Sequence, residues 1–269
     1  MQTNLEKSQT KKYLLLSILG IGFIMLIANF VGQEVMKLTT NLLYVPVPGT
    51  LLVLSIIIAV RFSVKGEHGR AWILFVGLAA SWFIAEQIWL VYDLVYQTDP
   101  FPSLADFFYL AGYPFLFLFS IYYLKPMKDA ISKKTLTYTS LAAIALLVPS
   151  LYMAYSTDSE ISAFELMLAL SYPIADAIVL IPALIGVILF FRGEVNFLWS
   201  LMCVAIILNV VADTGFLITS MDGSYYMGHP IDMLFLWAYI LFSFGVYSHI
   251  HIFKKRYHYT KSQSLKDLR

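Results

Sequence analysis

The chain has 269 residues, 59% of them hydrophobic and only 13% charged, with a mean hydropathy of +0.75. A soluble domain carries roughly 25% charged residues, so the composition excludes an ordinary water-soluble enzyme and predicts an all-α, polytopic membrane protein. The net charge of +1 and the single Cys203 leave no basis for a nucleic-acid partner or a disulfide framework; Cys203 reads as a small core residue.

Residues 1–12 are polar and basic and are expected as a short disordered tail. Segment 1 runs from about Tyr13 to Val31 and is expected to be retained, because no small-residue cleavage site follows it. Segment 2 runs from Leu43 to Phe62, with Val45-Pro46-Val47-Pro48-Gly49 at one end. Segment 3, Ala71–Gln97, is long and apolar yet carries Glu86 and Asp93. Trp82, Glu86, Trp89, Asp93 and Tyr96 recur at steps of four and three, which is one helical face. Pro100 and Pro102 end that segment, and Ser103 caps segment 4, which runs to Leu124. Segments 5 (136–155), 6 (161–191), 7 (197–220) and 8 (230–253) follow. Segment 6 contains Pro173 and Pro182, which should kink it or free a carbonyl. The expected organisation is a tail over 1–12, an eight-helix membrane domain over 13–253 and a basic tail over 254–269.

Orientation follows from charge. Eight helices with the N-terminus in the cytoplasm put seventeen of the eighteen Lys and Arg inside and leave only Lys37 outside. That is the positive-inside pattern, and it places both termini in the cytoplasm of a cell-membrane protein. A weak internal repeat accompanies it. Tyr44-Val45-Pro46 is similar to Ser171-Tyr172-Pro173, and Asp106 corresponds to Asp232, 126 positions later. A four-plus-four tandem arrangement accounts for these matches; chance similarity of apolar helices is the alternative.

Seven acids lie in or at the edges of the segments: Glu86, Asp93, Asp106, Glu165, Asp176, Asp213 and Asp232. Each charged residue at the centre of a membrane helix costs roughly 2.5–3.5 kcal/mol, and no Lys or Arg stands mid-segment to pair with them. His229 is the nearest candidate cation. Such acids take up a proton, bind a cation or sit in a wet cavity. Helical spacing gives four of them a polar neighbour on their own helix: Tyr109 and Tyr113 for Asp106, Tyr172 for Asp176, Asn209 for Asp213 and Tyr239 for Asp232. The expectation is an outward-facing cavity lined by Glu86, Asp93, Asp106, Tyr109, Tyr113, Asp176, Asp213 and Asp232, with a narrower inner half. The structural alternative for any one acid is a hydrogen-bonded core residue or a helix cap, as for Asp106 near Ser103. The five Trp residues read partly as an interfacial belt. His249 and His251 fall on different faces and read as interfacial, not as metal ligands. No metal or cofactor is assigned, and no catalytic Ser or zinc motif occurs.

Three phrases carry a resemblance: Trp89-Leu90-Val91-Tyr92-Asp93 followed by residues 100–114 (PFPSLADFFYLAGYP), residues 171–176 (SYPIAD), and residues 211–239 (VADTGF through HPIDMLFLWAY). Together they resemble the multi-spanning N-terminal membrane module found ahead of bacterial diguanylate cyclase, phosphodiesterase and histidine kinase domains. The resemblance covers most of segments 3–8, and its matching acids are Asp106, Asp176, Asp213 and Asp232; the position of Asp93 is usually Glu. It implies a sensory input module. No output domain follows segment 8 in this sequence, so the expectation is a stand-alone sensory or ligand-binding module taking a cation or small polar ligand, with output through a homo-oligomer or signalling partner. The rival reading is a cation- or proton-coupled transporter or channel, and an intramembrane hydrolase is a third.

Overall fold

The computed structural model describes residues 4–62, 66–156, 162–193 and 196–266. Residues 1–3 and 267–269 of the two tails, Lys65, and Ile161 at the start of segment 6 lie outside the described residues. Among the described residues every regular element is a helix: α1 (Asn4–Val31), α2 (Gln33–Leu43), α3 (Pro46–Phe62), α4 (Gly66–Leu90) with a π-helical extension Val91–Tyr96, α5 (Leu104–Leu124) with a 3-10 turn Lys125–Ala130, α6 (Lys133–Ser156), α7 (Ala163–Phe191), α8 (Phe197–Met221) and α9 (Pro230–Lys266). Eight spans are long and apolar enough to cross a membrane, the second taking in both α2 and α3. The chain is a multi-pass α-helical membrane protein, and the lipid bilayer is its surroundings.

The boundaries have local causes. Pro46 and Pro48 sit in the first turn of α3, where a missing N–H costs nothing. Ser103 opens α5 by accepting from the Ala105 N–H at 3.1 Å, and Asn196 opens α8 by accepting from the Trp199 N–H at 2.9 Å. Gly193 and Gly223, with φ of 78° and 72°, come after the ends of α7 and α8 in the left-handed conformation that glycine adopts freely. α7 runs unbroken through Pro173 and Pro182.

Three expectations are revised. Residues 4–12 are the first turns of α1, and residues up to 266 continue α9, so the described tail residues are helical extensions of membrane helices. Second, α2 occupies a stretch that hydropathy assigned to no element. Its polar residues Glu34, Lys37 and Asn41 recur at helical spacing. Third, the α-helical register of segment 3 ends at Leu90. The wider π-helical turns rotate the residues beyond Leu90, so Tyr96 leaves the stripe and is 61% exposed.

Six helices close into a ring in the order α3, α4, α5, α7, α8, α9 and back to α3, while α1 packs outside on α9 and α6 outside on α7 and α8. The Trp237 indole donates to the Ile18 carbonyl at 3.1 Å and ties α1 to the ring. The ring interior differs between its two ends. Towards Arg70 and Lys125 it is filled by aromatic side chains: Trp72 packs on Phe75, Phe119, Tyr123 and His249, and Tyr123 stacks on Trp199 with centroids 4.2 Å apart. Trp72, Trp82 and Trp199 are buried, as is His249. These belong to the core, not to a belt or interface, because large rings fill the space that six converging helices leave. The side chain of His251 lies outside the described residues. Cys203 is buried against Gly186, where an added Cβ would meet its sulfur.

Close helix approach is set by glycine at one point above all. A Cβ on Gly112 of α5 would run into the Trp82 indole of α4, whose Nε1 donates to the Tyr109 carbonyl at 3.1 Å. Gly112→Val is expected to lower the unfolding free energy by about 2–3 kcal/mol through overpacking and loss of that bond. Unfolding in mixed micelles measures it, and a wild-type-like transition would refute the packing argument.

Candidate functional site

At the other end, the ring encloses a cavity of about 700 Å³. All seven intramembrane acids line it, from α4, its π-helical extension, α5, α7, α8 and α9, and Asp99 joins them. Tyr109 and Tyr113 line it too. Aromatic side chains make up much of the remaining wall, including Tyr44, Trp82, Trp89, Phe216, Phe235 and Tyr239. Among the described residues, the lining sets one basic residue, Lys37, against eight carboxyl side chains. His229 is not in the lining; its Nδ1 accepts from the Ile231 N–H at 3.3 Å and its ring rests against Tyr226.

The hydrogen bonds distribute the acids into four arrangements. Asp106 and Glu165 belong to capping boxes. Asp106 Oδ2 accepts from the Ser103 N–H at 2.8 Å and Glu165 Oε2 from the Ser162 N–H at 2.7 Å. The second oxygen of Asp106 accepts from the Tyr172 hydroxyl of α7 at 2.6 Å. Asp232, 2% exposed, organises the α8–α9 connection by accepting from the Gly228 N–H at 2.6 Å and the Tyr225 hydroxyl at 3.1 Å. Burial, together with the nearby Asp232 carboxyl, pushes the Tyr225 phenol well above its ordinary value. In the same connection, hydrogen bonds from Ser224 hold the Asp222 carboxyl below the usual range.

Glu86 forms the third arrangement. Its Oε1 accepts from the Tyr239 hydroxyl of α9 at 2.7 Å, and Tyr109 also faces it. Asp176 and Asp213 form the fourth. The Tyr113 hydroxyl lies 2.8 Å from Asp176 Oδ1 and 2.9 Å from Asp213 Oδ2, and Asn209 donates to that same Oδ2 at 2.6 Å. A phenol has one hydrogen. It can serve one of the two carboxyl groups, so the other contact requires a further proton or a cation shared within the cluster.

Asp93 stands apart at the rim. Lys37 Nζ lies 3.0 Å from its Oδ1, and Asn41 Nδ2 donates to its Oδ2 at 2.7 Å. Both partners come from α2. The cation of the site is therefore Lys37 and not His229. Among the acids, the same-helix pairing expected from spacing holds for Asn209 with Asp213. For the tyrosines it does not hold. Tyr172 serves Asp106, Tyr113 serves Asp176 and Asp213, and Tyr239 serves Glu86. The tyrosines point across the ring because a long phenol reaches a neighbouring helix more readily than a short acid on its own. Lys37, Asn41, Tyr44, Tyr172 and Tyr225 were absent from the expected site. The polar stripe of α2 was the legible signal for the first two; nothing in the chain marked Tyr225.

Ring and cavity define the class as a polytopic helical membrane protein with a polar, carboxyl-rich chamber at one end. No family model, curated protein or solved structure matches the chain.

Proposed function

We propose that this protein is a sensory or ligand-binding module of the cell membrane whose chamber faces outward and takes a cation or a small cationic or polar ligand. One observation carries the reading: acids from five transmembrane segments converge on a single aromatic-rich chamber in which, among the described residues, one lysine is the only basic residue. Eight carboxyl groups favour a positive occupant electrostatically, and aromatic faces favour a cation with an apolar body. The outward orientation, with both termini cytoplasmic, rests on the lysine and arginine distribution. The likeness to the membrane input modules of cyclases, phosphodiesterases and kinases supports a sensory role, with output through a second copy or a signalling partner.

A tandem origin of the domain is supported by the hydrogen bonds. Asp106 and Tyr113 of α5 correspond to Asp232 and Tyr239 of α9, both 126 positions on, and Glu86 corresponds to Asp213, 127 positions on. Tyr113 bonds Asp213 while Tyr239 bonds Glu86. Each half thus sends its tyrosine to the acid of the other. A cation- or proton-coupled transporter is the second reading, favoured by Asp176, Tyr113 and Asp213, a cluster that needs a shared proton or cation.

The test is ligand-dependent thermal stabilisation of the full chain in nanodiscs against a panel of inorganic cations, organic ammonium salts and neutral polar compounds. Glu86→Gln and Asp213→Asn are expected to weaken binding by about tenfold or more, the loss of one charge-assisted contact of roughly 1.5–3 kcal/mol. A panel without any stabilising compound, or full binding by both variants, would sink the reading. Flux of the same ligand into proteoliposomes distinguishes transporter from sensor.

A further inference from the structure

Beside the main chamber lies a second, smaller cavity of about 290 Å³, lined by Glu34, Val35, Lys37, Leu38, Asp93, Leu94 and Gln97. Lys37, Asp93 and Gln97 line both cavities. The Lys37–Asp93 ion pair is therefore part of the partition between the chamber and this outer pocket.

The pair joins α2, outside the ring, to the π-helical end of the ring helix α4. Lys37 sits on α2, which begins after Gly32 at φ 142°. Asp93 sits on the π-helical extension of α4, which ends at Gln97 in the left-handed conformation, φ 54°. A non-glycine residue there is uncommon, and a π-helical turn is a costly insertion that recurs at functional sites. The extension brings the Asp93 carboxyl beside α2. Asn41 holds its Oδ2, and Lys37 supplies an ammonium to Oδ1. With side chains 33% and 16% exposed, the pair is neither sealed in the core nor free in solvent. Exchange with water and with other cations is open to it. The counterpart of Asp93 in the second half, 127 positions on, is Ser220, so this ion pair belongs to one half alone.

Resting on the ligand-binding reading, we propose that the ligand is an organic ammonium ion and that Lys37 is its tethered stand-in. The Lys37 ammonium occupies the rim carboxylate in the empty protein and is displaced when the ligand's ammonium takes its place on Asp93. The pair itself demonstrates that a primary ammonium fits against Oδ1 while Asn41 keeps the other oxygen. The aromatic surface of Trp89, which lines the chamber and packs on Phe216 at 5.9 Å, offers a face for the carbon body of such a ligand. Displacement needs no new charge in the chamber: one ammonium leaves Asp93 as another arrives, and Lys37 swings toward the outer pocket and its Glu34.

Competition by a tethered group weakens the apparent affinity by the fraction of time the site is free, and a part-exposed ion pair of this kind is worth up to about 1 kcal/mol. Binding of benzylammonium and methylammonium chloride to the full chain in nanodiscs, against sodium chloride at equal ionic strength, tests the proposal. Lys37→Met is expected to bind benzylammonium about fivefold more tightly than wild type. Lys37→Arg should keep the wild-type affinity, and Asp93→Asn added to Lys37→Met should remove the gain. Lys37→Gln repeats the measurement if the methionine variant does not fold. Equal or weaker binding by a folded Lys37→Met or Lys37→Gln overturns the proposal, as does failure of both to fold, since Lys37 is then a structural tie. Should inorganic cations or neutral polar compounds stabilise wild type while no ammonium stabilises any form, the ammonium ligand is refuted and the ligand-binding reading stands. Should nothing stabilise any form, both fall.

Discussion

Asp232→Ala is expected to lower the unfolding free energy by about 3 kcal/mol and to open the connection between α8 and α9. The carboxyl accepts from a buried backbone N–H of Gly228 and from the half-buried Tyr225 hydroxyl, and truncation leaves the Gly228 N–H without an acceptor in the core and the Tyr225 hydroxyl without its partner at the chamber wall. Each such orphan costs about 1–3 kcal/mol. Gly228 cannot relax easily, because its φ of 95° sets a backbone into which Met36 and Thr40 of α2 are packed. Asp232→Asn keeps one acceptor oxygen and should lose about half as much. Denaturant unfolding in mixed micelles reads the stability, and amide hydrogen exchange at residues 224–232 reads the local opening. A change within about 0.5 kcal/mol, the ordinary range of surface substitutions, would show that these bonds are made equally well by water.

Tyr113→Phe is expected to cost about 2 kcal/mol, and Asp176→Asn is expected to restore much of it. The Tyr113 hydroxyl bridges Asp176 and Asp213, donating its hydrogen to one of them and leaving its oxygen to face the other. Without it, two carboxyl groups that meet at one hydroxyl lose the group between them, and their mutual repulsion and desolvation are unrelieved. An asparagine at 176 carries its own N–H and can donate to Asp213 directly, as Asn209 already does from the other side. The double variant should therefore be more stable than the sum of the two single changes by about 1–2 kcal/mol, the range for residues in one hydrogen-bonded network. Additive losses would indicate that Tyr113 acts on each acid independently. The cycle separates a shared network from two adjacent contacts, and it bears on proton coupling, because only a shared network stores a common proton.

Much of the architecture was legible in the chain. A bilayer requires about twenty apolar residues per helix, and that requirement picks out all eight spans from hydropathy alone. Burying a carboxyl group in lipid is costly enough that Glu86, Asp93, Asp106, Asp176, Asp213 and Asp232 had to face inward, and they line one chamber. Ser103 capping and Cys203 burial were legible for local reasons: a cap acts within one turn, and a small apolar thiol belongs in a core.

What the chain did not reveal depends on pairings across the ring. A 3.6-residue period says which residues share a face, never which neighbouring helix meets that face. Hence Tyr172, Tyr113 and Tyr239 were matched to acids on their own helices, whereas they serve acids on others. The π-helical turns after Leu90 leave no trace in the sequence, because the pattern from Trp82 to Tyr96 fits an uninterrupted α-helix equally well. Only the folded backbone shows where the register changes. α2 itself is too polar and too short for a hydropathy reading, and with it went Lys37. The membrane class, the number of spans and the set of inward acids were set by the amino-acid order, because each depends on transfer free energies that one segment bears alone. The ring order, the crossed tyrosine–acid pairs and the lysine at the rim exist only in the folded molecule, because each needs two distant segments brought within about 3 Å of one another, the reach of a hydrogen bond.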